Sequence, residues 1–298
     1  SAWTRSTYLN SRKKRARQRA PHVTSAPIMI GVSLGLQAAG WPRNLKAAAL
    51  AVFVASCGFS GAGGRGDGQQ LSAAYVDPPE ARLIQPAAGG VVISGVAAPG
   101  SRVRLATPAG AEVFAVADAK GDWTVRLGAA PDVRLFGLSM ALAEPPAPER
   151  VVQSQGYLFV LPGGASGLLR SGAGALPLTQ GTTRLKIFSV DYDREGGAVV
   201  SGIAAPGEQL SVRVDGVTRG RATADRAGRF SALLNQPLTS GTREIVVLGE
   251  RMTSSVKPPI SVAAPLPSPP FRAERTAFGW RIDWMTPGGG LQTTLIFD

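Results

Sequence analysis

An all-β protein assembled from tandem sandwiches is what this sequence predicts, on three observations. Val91–Leu127 aligns without a gap onto Ala198–Leu234, each position recurring 107 residues later, and self-similarity of that kind marks one structural unit written twice. Within both copies apolar and polar residues alternate with period two, the pattern of strands that bury one face. Glycine and proline punctuate the chain at short intervals, 37 Gly and 23 Pro in 298 residues. With no helical periodicity sustained beyond the N-terminal region, short strands joined by tight turns are expected to close into antiparallel sandwiches.

Residues 1–56 contain nine Lys/Arg and no Asp or Glu, so the net charge of +12 falls to +3 in the remainder, where 23 basic residues face 20 acidic ones. A nucleic-acid footprint needs its basic residues on the folded part, and none is expected here. Leu45-Lys46 leads into the apolar run Ala47–Ala55, shorter than the roughly 20 residues of a membrane-spanning helix and shaped like an export signal. Val54-Ala55-Ser56-Cys57 resembles a bacterial lipobox. That resemblance implies cleavage before Cys57 and acylation of its thiol and new amino terminus, since two or more chains give stable anchoring where one is marginal. Gly58 after the cysteine, in place of Asp, implies sorting to the outer membrane. The cluster Arg12–Arg19 lies far upstream of this signal, and Met29 offers a later translation start. Residues 57–79, rich in Gly, Ser, Ala and Gln, read as a flexible tether, and Arg65-Gly66-Asp67 within it reads as a chance triplet.

The first expected sandwich, 80–162, and the second, 183–267, share a signature. Ser94-Gly95-Val96-Ala97-Ala98-Pro99-Gly100 in one matches Ser201-Gly202-Ile203-Ala204-Ala205-Pro206-Gly207 in the other. Pro presets the first corner of a turn and Gly accepts positive φ at the second. Asp118–Gly121 and Asp225–Gly228 have the composition of hairpin corners, each followed by a returning aromatic, Trp123 or Phe230. Trp123, Val125 and Leu127 fall on one face, and Phe230, Ala232 and Leu234 keep that parity, which pins the register. These residues resemble the bacterial immunoglobulin-like (Big-type) domains of cell-envelope proteins. The resemblance implies two tandem immunoglobulin-like β-sandwiches and a role as a non-catalytic spacer or interaction module of a lipoprotein. One cysteine in the whole chain leaves such domains without a disulfide, held by packing alone.

Residues 163–182 read as a linker and 268–298 as a C-terminal β-hairpin. In the hairpin Trp280, Ile282 and Trp284 share a face, Pro287–Gly290 turns, and Leu291, Thr293, Leu295 and Phe297 return. Trp280 and Trp284 are the candidate ligand face, able to stack on sugar rings or a partner if open, or to close a core if not. Asp191, Asp193 and Glu195, before Gly196-Gly197, are a weak calcium candidate because hard cations gather six to eight oxygens; the alternative is a strand ending in a turn.

His22 is the only histidine and lies in the expected leader. That argues against Ser-His-acid and Cys-His catalysis and against most zinc sites, and no phosphate-binding glycine loop follows a strand and opens a helix. No enzyme activity and no cofactor are expected. The alternatives are a carbohydrate-binding envelope protein using the Trp face and a glycan hydrolase using two of the carboxylates. The expected partners are the membrane, through the lipid anchor, and an envelope protein or polysaccharide.

Overall fold

The computed structural model describes residues 76–142, 150–163, 165–179, 184–268 and 270–298. Cys57, the leader and most of the tether lie outside the described residues. Among the described residues the fold is all-β, with strands and turns and no helix.

The first part of the chain supplies β1 (Glu80–Ala87), β2 (Gly90–Val96), β3 (Arg102–Ala106), β4 (Glu112–Val116), β5 (Asp122–Gly128), β6 (Arg134–Leu142), β7 (Arg150–Val160), β8 (Ser166–Leu169) and β9 (Leu176–Pro177). They form a three-stranded sheet A, order β1-β2-β5, and a six-stranded sheet B, order β4-β3-β6-β7-β8-β9. Alternate residues of β2, β3 and β5 point inward and meet β6 and β7 in an apolar core around Ile93, Leu105, Trp123, Met140 and Leu158. A backbone bond from Ile84 N–H to the Leu178 carbonyl, 2.6 Å, ties the two sheets together beyond β9.

The rest of the chain supplies β10 (Lys186–Asp193), β11 (Ala198–Ile203), β12 (Gln209–Val214), β13 (Val217–Thr223), β14 (Arg229–Leu233), β15 (Gly241–Thr242), β16 (Ile245–Leu248), β17 (Thr253–Val256), β18 (Pro259–Ile260), β19 (Phe271–Thr276), β20 (Gly279–Met285) and β21 (Leu291–Phe297). Sheet C has the order β14-β11-β10-β21-β20-β19 and sheet D the order β13-β12-β16-β17, with β15 and β18 paired apart. Sheets C and D enclose a second core around Val190, Val200, Val212, Phe230, Ile245 and Leu295. The C-terminal strands are thus built into this sheet: β20 and β21 pair antiparallel, and β21 also pairs with β10, Tyr192 opposite Thr293.

A third apolar cluster lies between sheets B and C. Leu135, Phe159, Leu161 and Leu169 from sheet B and its edges meet Phe188, Ile282, Trp284 and Ile296 from sheet C. Four sheets therefore lie in the sequence A, B, C, D with apolar cores between successive members. This explains the burial of β10, where every residue from Ile187 to Tyr192 is buried, and of β21, buried from Gln292 to Phe297. A strand covered on both faces loses the polar alternation of a half-exposed one. The segment expected as a linker, 163–182, carries β8 and β9 and lies against this junction through Leu169 and Ala175.

Both copies of the repeat fold through the same bonds. Ser101 N–H donates to the Ala98 carbonyl and Glu208 N–H to the Ala205 carbonyl, each 3.0 Å, around the Pro-Gly corners. Gly100 and Gly207 sit there at φ of 72° and 79°, which makes type II turns that need glycine at the third position. The Asp118 side chain accepts from the Lys120 and Asp122 amides, and Asp225 accepts from Ala227 and Arg229. The shared Ser-Gly has a packing reason. Gly95 pairs with Trp123 and Gly202 with Phe230, and each ring lies over its glycine. A Cβ on Gly95 would stand 1.9 Å from the Glu80 carbonyl oxygen and 2.5 Å from the Trp123 ring; on Gly202, 2.2 Å from the Lys186 carbonyl oxygen and 2.6 Å from Phe230. Overpacking of this kind typically costs about 1–3 kcal/mol. Gly95→Ala and Gly202→Ala are therefore each expected to lower the unfolding free energy, read from urea titration, by an amount in that range, while Gly288→Ala, where a Cβ meets nothing within 4 Å, is expected to leave it unchanged.

Candidate interaction surface

The sequence-derived site residues are distributed by the four-sheet packing. Trp280, Ile282 and Trp284 do share a face of β20, but that face is turned toward sheet B. Trp284 is fully buried, its ring edge-on to Tyr157 with centroids 5.9 Å apart. Its Nε1–H donates to Thr294 Oγ1 at 3.1 Å. Trp280 is half-buried, with the Arg275 guanidinium 5.6 Å from its ring centroid. The pair offers no open aromatic platform, because the six-stranded sheets need an apolar filler where Trp284 stands.

The three carboxylates of the calcium candidate separate as well. Asp191 is buried between sheets B and C, where its Oδ2 accepts from Ser189 Oγ at 2.8 Å and from the Ala175 amide at 2.9 Å. Its Oδ1 accepts from Thr294 Oγ1 at 2.5 Å. Asp193 caps its own turn by accepting from the Gly197 amide, 2.8 Å, and Glu195 is exposed on that turn. Among the described residues no group of three His, Cys, Asp or Glu side chains is placed to hold a metal ion.

Burial pushes the Asp191 carboxyl above its ordinary value near 3.8, opposed by the bonds from Thr294, Ala175 and Ser189 and by the charge of Arg170. Hydrogen bonds to a charged group are worth about 1.5–3 kcal/mol each, and the removal of a carboxylate from water costs several; here burial wins. A second buried carboxylate, Asp283, accepts from Arg272 Nη2 at 2.5 Å, Arg281 Nε at 3.0 Å and Thr293 Oγ1 at 2.7 Å. Arg281 reaches on to Ser261, Nη1 to Oγ at 2.7 Å and Nη2 to the carbonyl at 3.1 Å. Tyr192 OH donates to the same carbonyl at 3.1 Å. This network straps the segment after β18 onto the face of sheet C that also packs on sheet D. Both buried carboxylates are thus occupied in holding elements together.

A cleft of about 710 Å³ opens beside that strap, between the turns at 193–197 and 286–290. Val199, Val262, Leu266 and Leu291 line it with Asp193 and Glu195 at its rim.

The surface that sequence reasoning missed lies at the other end of sheet B. The face that buries Leu135 and Phe159 against sheet C continues past its cover. There it carries two cross-strand rows, Val116–Arg102–Ala141–Val151 and Phe114–Arg104–Ser139–Gln153. Val116 is 69% exposed, Val151 59% and Phe114 42%. The Arg102 guanidinium lies 4.1 Å from the Phe114 ring centroid, and Arg104 is bonded to Glu112. An exposed apolar strip beside an unpaired sheet edge is the type of surface that can receive another chain.

No protein-family model matches the chain, and no curated protein sequence does. Several solved structures match. One is described as a biofilm associated protein, BSP domain, with 14% identity and a TM-score of 0.21, the match covering 63% of this chain and 30% of that one.

The raised Asp191 carboxyl makes a pH test. A buried acid whose folded pKa exceeds its unfolded one stabilises the fold below the unfolded value and loses that contribution as pH rises through the folded value. Relative to Asp191→Asn, which cannot titrate, the unsubstituted protein is expected to gain stability as pH falls from neutrality toward 4. Urea titrations of both proteins across that range measure the difference, and parallel curves would show that Asp191 does not carry the shift.

Proposed function

We propose that this chain is a non-catalytic interaction module of the bacterial cell envelope, made of two tandem immunoglobulin-like sandwiches and held at the outer membrane by lipid on Cys57. The observation that carries the reading is the open end of sheet B, where Phe114, Val116 and Val151 stand exposed beside Arg102 and Arg104 on a scaffold stiffened by three successive cores. Presentation is then the mechanism. Lipid fixes one end, residues 57–79 give reach, and the rigid stack holds an apolar, basic edge toward another envelope component. The occupation of Asp191 and Asp283 by structural donors supports a binding role over hydrolysis. The burial of Trp284 removes the aromatic platform on which sugar stacking was to depend, so the partner of this reading is a protein.

Mass spectrometry of membrane-extracted protein tests the anchor. The expected product begins at Cys57 with acyl mass added, and Cys57→Ala is expected to move the protein from the membrane to the soluble fraction. An unmodified Cys57 in a membrane-free protein would refute the anchored form. Cross-linking in intact cells tests the role, with one or more envelope proteins expected to attach at the sheet B face.

A further inference from the structure

The edge strand β4 differs from its counterpart in the second copy in a way that points to a partner. The 107-residue alignment sets Glu112, Phe114 and Val116 of β4 against Arg219, Arg221 and Thr223 of β13. Both strands end a sheet, β4 in sheet B and β13 in sheet D. Charged residues on a terminal strand repel a second strand; Arg221 stands exposed on β13, and the Arg219 carbonyl there already accepts from the Asn235 amide at 2.8 Å, whereas the centre of β4 is a half-exposed phenylalanine.

The backbone of β4 is equally open. Thr107 N–H donates to the Ala111 carbonyl at 2.8 Å, and Ala117 N–H donates to the Ser101 carbonyl at 2.9 Å. These bonds bracket the β3–β4 ladder and set its alternation. In an antiparallel ladder every second residue turns its N–H and C=O away from the neighbour. In β4 those residues are Glu112, Phe114 and Val116, and no described strand lies beyond them. The three are symmetric about Phe114.

We propose that β4 is a self-pairing edge, through which two copies of this chain join antiparallel about a two-fold axis at Phe114 and merge their sheets B into one. Glu112 then faces Val116 of the other copy, Phe114 faces Phe114, and Val116 faces Glu112. The outward N–H and C=O groups of these residues meet in reciprocal bonds. The two Phe114 rings lie side by side on the same face, at the roughly 5 Å Cβ separation of opposed residues. Charge agrees with this register. Arg102 lies directly across from Val116 within its own sheet, and its guanidinium rests on the Phe114 ring. The pairing brings the other copy's Glu112 to the far side of Val116, so an arginine that had an aromatic contact gains a carboxylate within reach. The same register at β13 would oppose Arg221 to Arg221. This inference rests on the interaction-module reading and names a second copy as one occupant of its surface.

Sedimentation of the full chain tests it, in a Cys57→Ala background that keeps the protein free of lipid. A monomer–dimer equilibrium is expected at micromolar concentrations. Phe114→Arg, which copies Arg221 of β13, is expected to weaken it at least roughly tenfold, about 1.4 kcal/mol, with the monomer still folded and its melting lowered only by the lost Arg102 contact and the new charge opposite Arg104. Arg221→Ala is expected to leave the equilibrium as it was. In the same background Phe114→Cys supplies the only thiol. Opposed Cα atoms about 5.5 Å apart lie within the span of a disulfide, so mild oxidation is expected to give a covalent dimer, and Arg221→Cys is expected to give none. A protein that sediments as a monomer throughout, or a Phe114→Arg dimer as strong as its parent, overturns the pairing. A monomer that still cross-links to an envelope protein in cells overturns self-pairing alone and leaves the module reading standing.

Discussion

The structure depends on the burial of one face of sheet B against one face of sheet C. A sandwich of two sheets is complete with one core, and the outer faces of its strands then belong to water. Here the outer face of each six-stranded sheet finds the other. Trp284 fills the junction, and the chain from its Nε1–H through Thr294 Oγ1 to Asp191 continues to the Ala175 amide. That path runs from β20 across β21 and β10 to the segment before β9. An apolar contact between sheets is tolerant of sliding, whereas a buried carboxylate with three fixed donors has one satisfactory position, since leaving any donor unpaired costs about 1–3 kcal/mol. The tryptophan supplies area and the aspartate supplies registration.

The duplicated unit shows how few residues a sheet corner requires. Pro-Gly fixes the first turn, the Asp side chain fixes the second through two backbone amides, and a glycine admits the aromatic ring that roofs the core. Trp123 and Phe230 differ in size, yet each rests on its glycine at nearly the same distance. Phe159 uses the device a third time outside the repeat, where a Cβ on Gly167 would come within 2.9 Å of its ring. The glycines were legible as turn residues by composition, but Gly95, Gly202 and Gly167 are strand residues kept small by a neighbour across the sheet.

The strands of the repeat, their turns and their inward parity could be read from the sequence because each side chain's surroundings lie within its own unit. What could not be read was any property set by two units together. The run Lys186–Asp193 carries Ser189 and Asp191 among its apolar residues, so it has the look of a strand with a polar face. The polar residues are instead buried partners in the junction. Trp280 and Trp284 gave a correct face and no indication of what covers it. Residues 163–182 have the composition of a linker, and the hydrophobic members Leu168, Leu169 and Leu176 that seat β8 and β9 are too few to make a periodic pattern. Cys57, the most specific single residue in the sequence reading, lies outside the described residues, so its role rests on its neighbours in sequence alone.

The two copies share their turns and inner faces and diverge at their edges, and this is the order that physics imposes. Inner positions such as Val103 and Leu210 answer to the core, where a change of one methylene is felt. Edge positions answer only to whatever lies beyond the sheet. In the second copy the sheet D edge carries Arg219 and Arg221; the Arg219 carbonyl accepts from the Asn235 amide and its Nη1 donates to the Pro237 carbonyl, so the chain itself takes part of that edge. In the first copy the corresponding outer positions are Glu112 and Phe114, and the single carboxylate is held by Arg104. Local contacts differ with the residues: Arg219 bonds Pro237 and Asn235, and Phe114 carries the Arg102 guanidinium, so each edge is matched to its own neighbours while β4 keeps its outward backbone groups unpaired among the described strands.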